Sequence, residues 1–487
     1  MRRNVLFLCS FLLLTGCAGP ASPASPDATP TVFPIPTTQP TPAVSITPET
    51  TPTAVPPTPT PAMSTRPHYE LQLTLDYAGH SAGVHELITY PNRSGAALDT
   101  LVLAVEPGLW PGAFKLGSLT LDGQAVSPGL SGERLTVILP QPLPDGGSVS
   151  LALDYGLRIP QEGDRYLFGY NASQTNLLDW YPFVVPYSSG KGWLLHAPAP
   201  VGEHLAYESA DFDVALRFSG QTPALSVAAS APGLSDGEWT RYRLQGARGF
   251  ALSVSDRFLT TSADAGGVPV TSYYFEGHQA AGQAAAQAAA AALRLFAGKF
   301  APYPYQSLSV VESASADGME ADGLFFMATH FYDTYDGTTE NYLTTLSVHE
   351  TSHQWWYGLV GNDQALEPWL DEALATYSER GFYAANYPDE LDWWWTFRIR
   401  RFDPLGAANG DIYANGSFRT YTNATYFMGA YFLDDLRVRI GDKAFYAALS
   451  DYAQVNSYRI AGAADFFAAI NRHSSVDYAD LVKEYFK

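Results

Sequence analysis

The chain has 487 residues, 46% of them hydrophobic, and a formal net charge of −21. That length exceeds one ordinary domain and supplies enough apolar side chains for a buried core. With 49 Asp and Glu against 28 Lys and Arg, the body repels phosphate backbones, so nucleic acid is not expected as a partner.

Arg2 and Arg3 open a short secretory signal whose apolar run, Val5 to Leu14, leads into Leu14-Thr15-Gly16-Cys17. That ending is similar to a bacterial lipobox. Residues 1–16 are therefore expected to be a lipoprotein signal peptide, with Cys17 as the lipidated N-terminus on an extracytoplasmic membrane face. The only cysteines are Cys9 and Cys17, so nothing beyond them can form a disulfide, a thiolate metal site or a thiol nucleophile. Residues 17–66 read as the lipidated cysteine and a Pro/Thr-rich disordered tether, because such composition cannot build a packed core. No later apolar run approaches the roughly 20 residues that span a bilayer.

From Tyr69 the pattern is that of strands. Tyr69, Leu71, Leu73, Leu75 and Tyr77 alternate with polar residues, and Val84–Tyr90, Leu101–Val105, Arg134–Leu139 and Ser148–Tyr155 read similarly. Residues 67–262 are expected to form an all-β sandwich. After Gly277 the period changes. Gln279–Phe300 is rich in Ala, Leu and Gln and predicts a helix, stopped by Ala301-Pro302-Tyr303-Pro304. A strand over Gln306–Ser313 follows, then helices over Tyr342–Tyr357, Pro368–Tyr383, Tyr426–Ile440, Lys443–Val455 and Ala461–Arg472. Residues 263–487 are thus expected to be an α/β domain, which makes the chain a multidomain α+β protein.

The chemistry sits in His349-Glu350-Thr351-Ser352-His353. Positions four apart share one helix face, so both imidazoles can hold one Zn²⁺ with Glu350 beside the open coordination position. The third ligand is distant: Trp356 and Leu359 stand where a nearby histidine pattern would require glycine and histidine. Glu372, eighteen residues after His353, is placed to supply it. Glu379 lies seven residues further, on the same helix face. It either accepts a hydrogen bond from a ligand histidine or is a surface salt-bridge residue. His196, His204, His278 and His330 lack ligand spacing and read as structural, and the Trp393-Trp394-Trp395 run reads as core.

His349 to Gly358 (HETSHQWWYG) and Trp369 to Ala375 (WLDEALA) resemble the aminopeptidase N and leukotriene-hydrolase family of gluzincins. Asp317-Gly318-Met319-Glu320 is similar to that family's Gly-x-Met-Glu-Asn motif, and Tyr426-Phe427-Met428-Gly429 to its Tyr-x-x-Gly helix start. The resemblance implies a thermolysin-like catalytic domain with one zinc on His349, His353 and Glu372. It implies Glu350 as general base on the zinc's water, Tyr426 as donor to the oxyanion, Glu320 as partner of a free α-amino group, and Met319 beside the substrate pocket. Peptides are the implied substrates and N-terminal residues the implied products. Two alternatives stay open: a zinc endopeptidase without N-terminal selectivity, and a non-catalytic surface binding protein on the same fold. The chain departs from the family at Ala321, where the motif has Asn, and at Asp317, where it has glycine. It also stops near the expected end of the catalytic domain, so a more open site is expected.

Overall fold

In strand His68–Asp76 of the computed structural model, Tyr69, Leu71, Leu73 and Leu75 are buried and Glu70 and Gln72 are exposed, as period-two alternation requires. The structure describes residues 66–161, 167–220, 223–315 and 317–487. The expected signal peptide, Cys17 and the tether through residue 65 lie outside those residues. Among the described residues no helix is long and apolar enough to cross a membrane.

His68–Asp76 pairs antiparallel with Ser81–Pro91 and parallel with Ala210–Phe218, near the centre of an eight-stranded sheet. Its inner face shares one apolar core with two four-stranded sheets. Leu71 and Val84 from the large sheet lie in that core with Leu103 and Val137 from one smaller sheet, and with Leu177 and Val254 from the other. The sheets change between Ser255 and Leu259, slightly ahead of the 262/263 division expected from sequence, because Leu259–Asp264 pairs with Pro269–Tyr274 of the next sheet.

That next sheet has five strands in the order Leu259–Asp264, Pro269–Tyr274, Leu308–Ser313, Leu324–Ala328, Met319–Ala321. Its two middle junctions are parallel and its two outer ones antiparallel. Parallel neighbours need a crossover, and helix α1 (Gln279–Lys299) provides it. Small side chains let α1 approach the sheet closely: a Cβ at Gly282 would stand 2.4 Å from the Tyr274 ring. The short strand Met319–Ala321 closes one edge of the sheet.

Helix α2 (Tyr342–Ser352) packs against α1 and against α3 (Trp369–Asn386). The Asn341 side chain caps α2 by accepting from the Thr344 N–H at 2.9 Å. The helix expected to run to Tyr357 ends at Ser352. Beyond His353 the chain closes wider turns, Gly358 N–H to His353 O at 2.9 Å and Val360 N–H to Trp355 O at 2.9 Å. Buried anchors pull it out of helical register. Trp355 Nε1 donates to Ala301 O at 2.8 Å, and Trp356 Nε1 donates to Ser378 Oγ at 3.0 Å. Tyr357 takes φ +128°, a region rarely occupied by L side chains.

That strained turn is held by Arg248, only 3% exposed, at the end of strand Trp239–Ala247. Its guanidinium donates to Tyr357 O, to Tyr207 O at 2.9 Å and to Arg459 O at 2.9 Å. One side chain from the β-rich half thus satisfies carbonyls from both halves. Arg248→Met would strand the Tyr357 and Tyr207 carbonyls in a buried place, while Arg459 O keeps the Gly361 N–H at 2.9 Å. Each orphaned group costs about 1–3 kcal/mol, so urea unfolding of the variant is expected to show a loss of at least ~2 kcal/mol. A loss below about 1 kcal/mol would mean that water or other donors replace the guanidinium.

Candidate metal centre

α2 and α3 meet where His349, Glu350, His353, Glu372 and Glu379 are all nearly fully buried. His349 Nε2 lies 3.1 Å from His353 Nε2 and 3.2 Å from Glu372 Oε2, and His353 Nε2 lies 3.6 Å from the same Glu372 oxygen. Zinc takes such ligands at about 2.0–2.1 Å, so the edges of a tetrahedral site run to about 3.3 Å. The three observed separations match those edges.

The opposite side of each ring is already committed. His349 Nδ1 donates to Glu379 Oε1 at 2.8 Å, and His353 Nδ1 donates to Trp356 O at 2.9 Å. In each neutral ring Nε2 is therefore the atom left to offer a lone pair to the shared space, the tautomer that metal ligation requires. Two facing lone pairs beside a carboxylate repel one another unless a cation lies between them. Burial disfavours a charged His349 ring, yet its bonds to Glu372 and Glu379 outweigh that and lift its pKa to about 9. Burial likewise works against the Glu372 carboxylate, and hydrogen bonds from His349 and His353 hold it below the ordinary range.

Glu379 is the support of this group. It is fully buried and takes Arg398 Nε at 2.9 Å, Arg398 Nη2 at 2.9 Å and Trp394 Nε1 at 2.9 Å besides the His349 ring. Burial raises its pKa, but Arg398 and His349 more than reverse this and keep it ionised. Glu379 thus bonds to a histidine ring, and its ion pair with Arg398 lies in the interior, not on the surface as the alternative reading had it. Trp394 comes from the tryptophan run read as core. Nothing in the sequence pointed to Arg398.

Glu350 leans into the same cavity with Oε2 unpartnered. Burial pushes its pKa up to about 8, opposed by the neighbouring imidazoles and reinforced by Glu320 and Glu372. Gly318 lies close against it: a Cβ there would meet Glu350 Oε1 at 2.1 Å and displace the carboxylate. Tyr426 stacks parallel to the His349 ring at 6.0 Å. Burial and the nearby Glu372 carboxylate keep its phenol protonated far above the usual range. The single helix expected over Tyr426–Ile440 is in fact a π-helical segment, Thr422–Met428, followed by α4 (Gly429–Ile440), so Tyr426 sits on an over-wide turn of a kind frequent at functional sites.

Glu320 comes from the edge strand and accepts from Gln364 Nε2 at 3.1 Å. Its carboxylate, that of Glu350 and the His353 ring lie within 4.8 Å of one another. Met319 is half-buried beside it and packs against the small apolar cluster of Val311, Leu324 and Phe326. Ala321 is part of that cluster, where an amide side chain would be buried among apolar groups. Met319, Glu320, Glu350, His353, Gln364, Glu372 and Tyr426 open on one cavity of about 670 Å³. The β-rich half contributes Asp179, Glu203 and His204 to its wall. Asp179 has φ +49°, accepts from Tyr207 Oη at 3.1 Å, and is raised by burial to about 6. The only hint of Asp179 in the sequence is its place just before Trp180-Tyr181-Pro182. His204, read as structural, bonds to Glu133 Oε2 at 2.9 Å and stands on the cavity wall. His330 lines the cavity as well.

Residues 284–485 match the peptidase family M1 domain. Aminopeptidase 2 of Candida albicans is 33% identical over 135 residues, which are 26% of this chain and 14% of that protein. Aminopeptidase M1-B of Oryza sativa subsp. japonica is 27% identical over 236 residues, 45% of this chain and 27% of that protein. The chain therefore spans well under a third of the length of these relatives. Among solved structures, an M1 zinc metallopeptidase from Deinococcus radiodurans with a Tyr-Ser-Ala substrate bound has the same fold. Its TM-score is 0.62 at 19% identity, over 87% of this chain and 94% of the other. Glu379→Ala is expected to weaken zinc binding about 10–100-fold, as loss of a histidine's carboxylate partner does elsewhere. Chelator competition against the full-length protein measures it, and an unchanged affinity would remove Glu379 from the support of the site.

Proposed function

From the premise that residues 284–485 are a peptidase family M1 domain, we propose that the protein is a zinc-dependent aminopeptidase that releases N-terminal residues from peptides. The observation that carries this reading is the joint placement of a His349/His353/Glu372 ligand triangle, a buried Glu350 and a Glu320 carboxylate beside them. A metal held by the triangle would act as Lewis acid on the scissile carbonyl and lower the pKa of water there. Glu350, buried and with one oxygen free of hydrogen bonds among the described residues, takes a proton from the attacking water and delivers it to the departing amine. Tyr426 donates its phenolic hydrogen to the carbonyl oxygen as negative charge develops on it. Glu320, fixed by Gln364, receives the substrate's ammonium group. The aminopeptidase names of the two plant and fungal relatives, and the tripeptide bound by the Deinococcus neighbour, support the same assignment.

Glu350→Gln is expected to retain its metal and lose at least ~10³-fold in kcat, since base and proton carrier vanish together. Tyr426→Phe should lower kcat by about 10²–10³ with little change in KM. Free peptides should be cleaved and their N-acetylated forms spared; equal cleavage of both would leave a peptide hydrolase without N-terminal selectivity.

We also propose attachment to an extracytoplasmic membrane face through lipid on Cys17, supported by the Leu14-Thr15-Gly16-Cys17 ending of the signal. Cys17→Ser is expected to move the protein from the membrane to the soluble fraction. A distribution unaffected by the substitution would exclude lipid anchoring at this residue.

A further inference from the structure

We propose that Asp317 selects a basic side chain on the residue that follows the cleaved bond. The inference rests on the aminopeptidase reading in one respect, the use of Glu320 to receive the substrate ammonium.

The edge strand sets the direction. At one end, Glu320 groups with Glu350 and the His353 ring. Next comes Gly318, whose backbone lies against the Glu350 carboxylate. Beyond it, Asp317 lies in the electrostatic field of Arg398, His349 and His330. Chain order thus carries this segment from Glu320 past the Glu350 carboxylate to Asp317, which lines the same cavity. A peptide with its ammonium at Glu320 and its scissile carbonyl at Glu350 has only its leaving portion to extend towards Asp317.

The surroundings of Asp317 suit a long cationic side chain. Phe331, Tyr342 and Leu346 line the same cavity, and the first two rings lie 5.8 Å apart, an apolar wall for an aliphatic stem. The guanidinium nearest to hand, Arg398, is already spent on Glu379 through bonds of 2.9 Å from Nε and Nη2. Among the described residues Asp317 takes one side-chain hydrogen bond, from its neighbour Gly318 N–H at 3.1 Å, and forms no ion pair. Burial lifts its pKa, with Arg398 opposing, the condition of a carboxylate lacking a full counter-charge. An incoming ammonium or guanidinium would complete it.

The test uses the full-length zinc-loaded protein and two peptide pairs, Leu-Lys-Ala against Leu-norleucine-Ala, and Lys-Leu-Ala against norleucine-Leu-Ala. In the first pair kcat/KM should favour lysine by at least about tenfold, the size of one charge-assisted hydrogen bond. Asp317→Asn should bring that ratio to within about twofold of one, and Asp317→Glu should restore much of it. In the second pair the ratio should not respond to Asp317→Asn. A first-pair ratio untouched by Asp317→Asn overturns the proposal, as does a change confined to the second pair. Calorimetric binding of the same peptides to Glu350→Gln protein, with and without Asp317→Asn, reads the preference independently of turnover. N-acetylated Leu-Lys-Ala cleaved as fast as the free peptide, with the lysine ratio intact, would overturn the ammonium reading while supporting the selectivity of Asp317.

Discussion

The bond from His349 Nδ1 to Glu379 decides the rest of the centre. It settles which nitrogen carries the proton, and so which one faces Glu372 and His353. A single buried carboxylate would not survive there as an anion, because its desolvation costs several kcal/mol. Arg398 and Trp394 make it tolerable by filling its remaining lone pairs. The ligand triangle is thus backed by charged and polar groups gathered from α2, α3 and the segment just after α3. Such a network is worth most when complete and is most damaging when broken, since each partner left behind is buried.

The two halves of the chain divide the work unequally. The five-stranded sheet and helices α2 and α3 place His349, His353 and Glu372, together with Glu350 and Glu320. The β-rich half contributes cavity wall and restraint. Asp179, Glu203 and His204 face the cavity, and Arg248 holds the turn after His353 in a backbone conformation it would not take alone. That restraint has a consequence for the centre: the same turn supplies Trp356 O, which orients the His353 ring. The β-rich half therefore reaches the metal site through backbone geometry without lending it a ligand.

Local periodicity was legible wherever neighbours in sequence are also neighbours in space. Strand His68–Asp76 and helix α1 match their patterns because each buries one regular face. Patterns misled where a distant group competed for the backbone. The helix through Tyr357 is cut short at Ser352 by two tryptophans seeking the core and by an arginine a hundred residues upstream. The helix start at Tyr426 is widened into a π-helical segment that carries its phenol to the centre.

Read alone, the chain determined its metal-ligand candidates, because an i,i+4 histidine pair has one face whatever surrounds it and Glu372 opens a recognisable helix. It determined Glu350 for the same reason. The support of those ligands was settled only in three dimensions. Arg398 and Trp394 meet Glu379 across a helix interface, Asp179 and Glu203 enter from loops of the β-rich half, and Asp317 acquires its neighbours when the edge strand docks beside α2. Side-chain spacing along one helix is a property of covalent geometry, whereas which charges share a buried cavity depends on how separate elements pack.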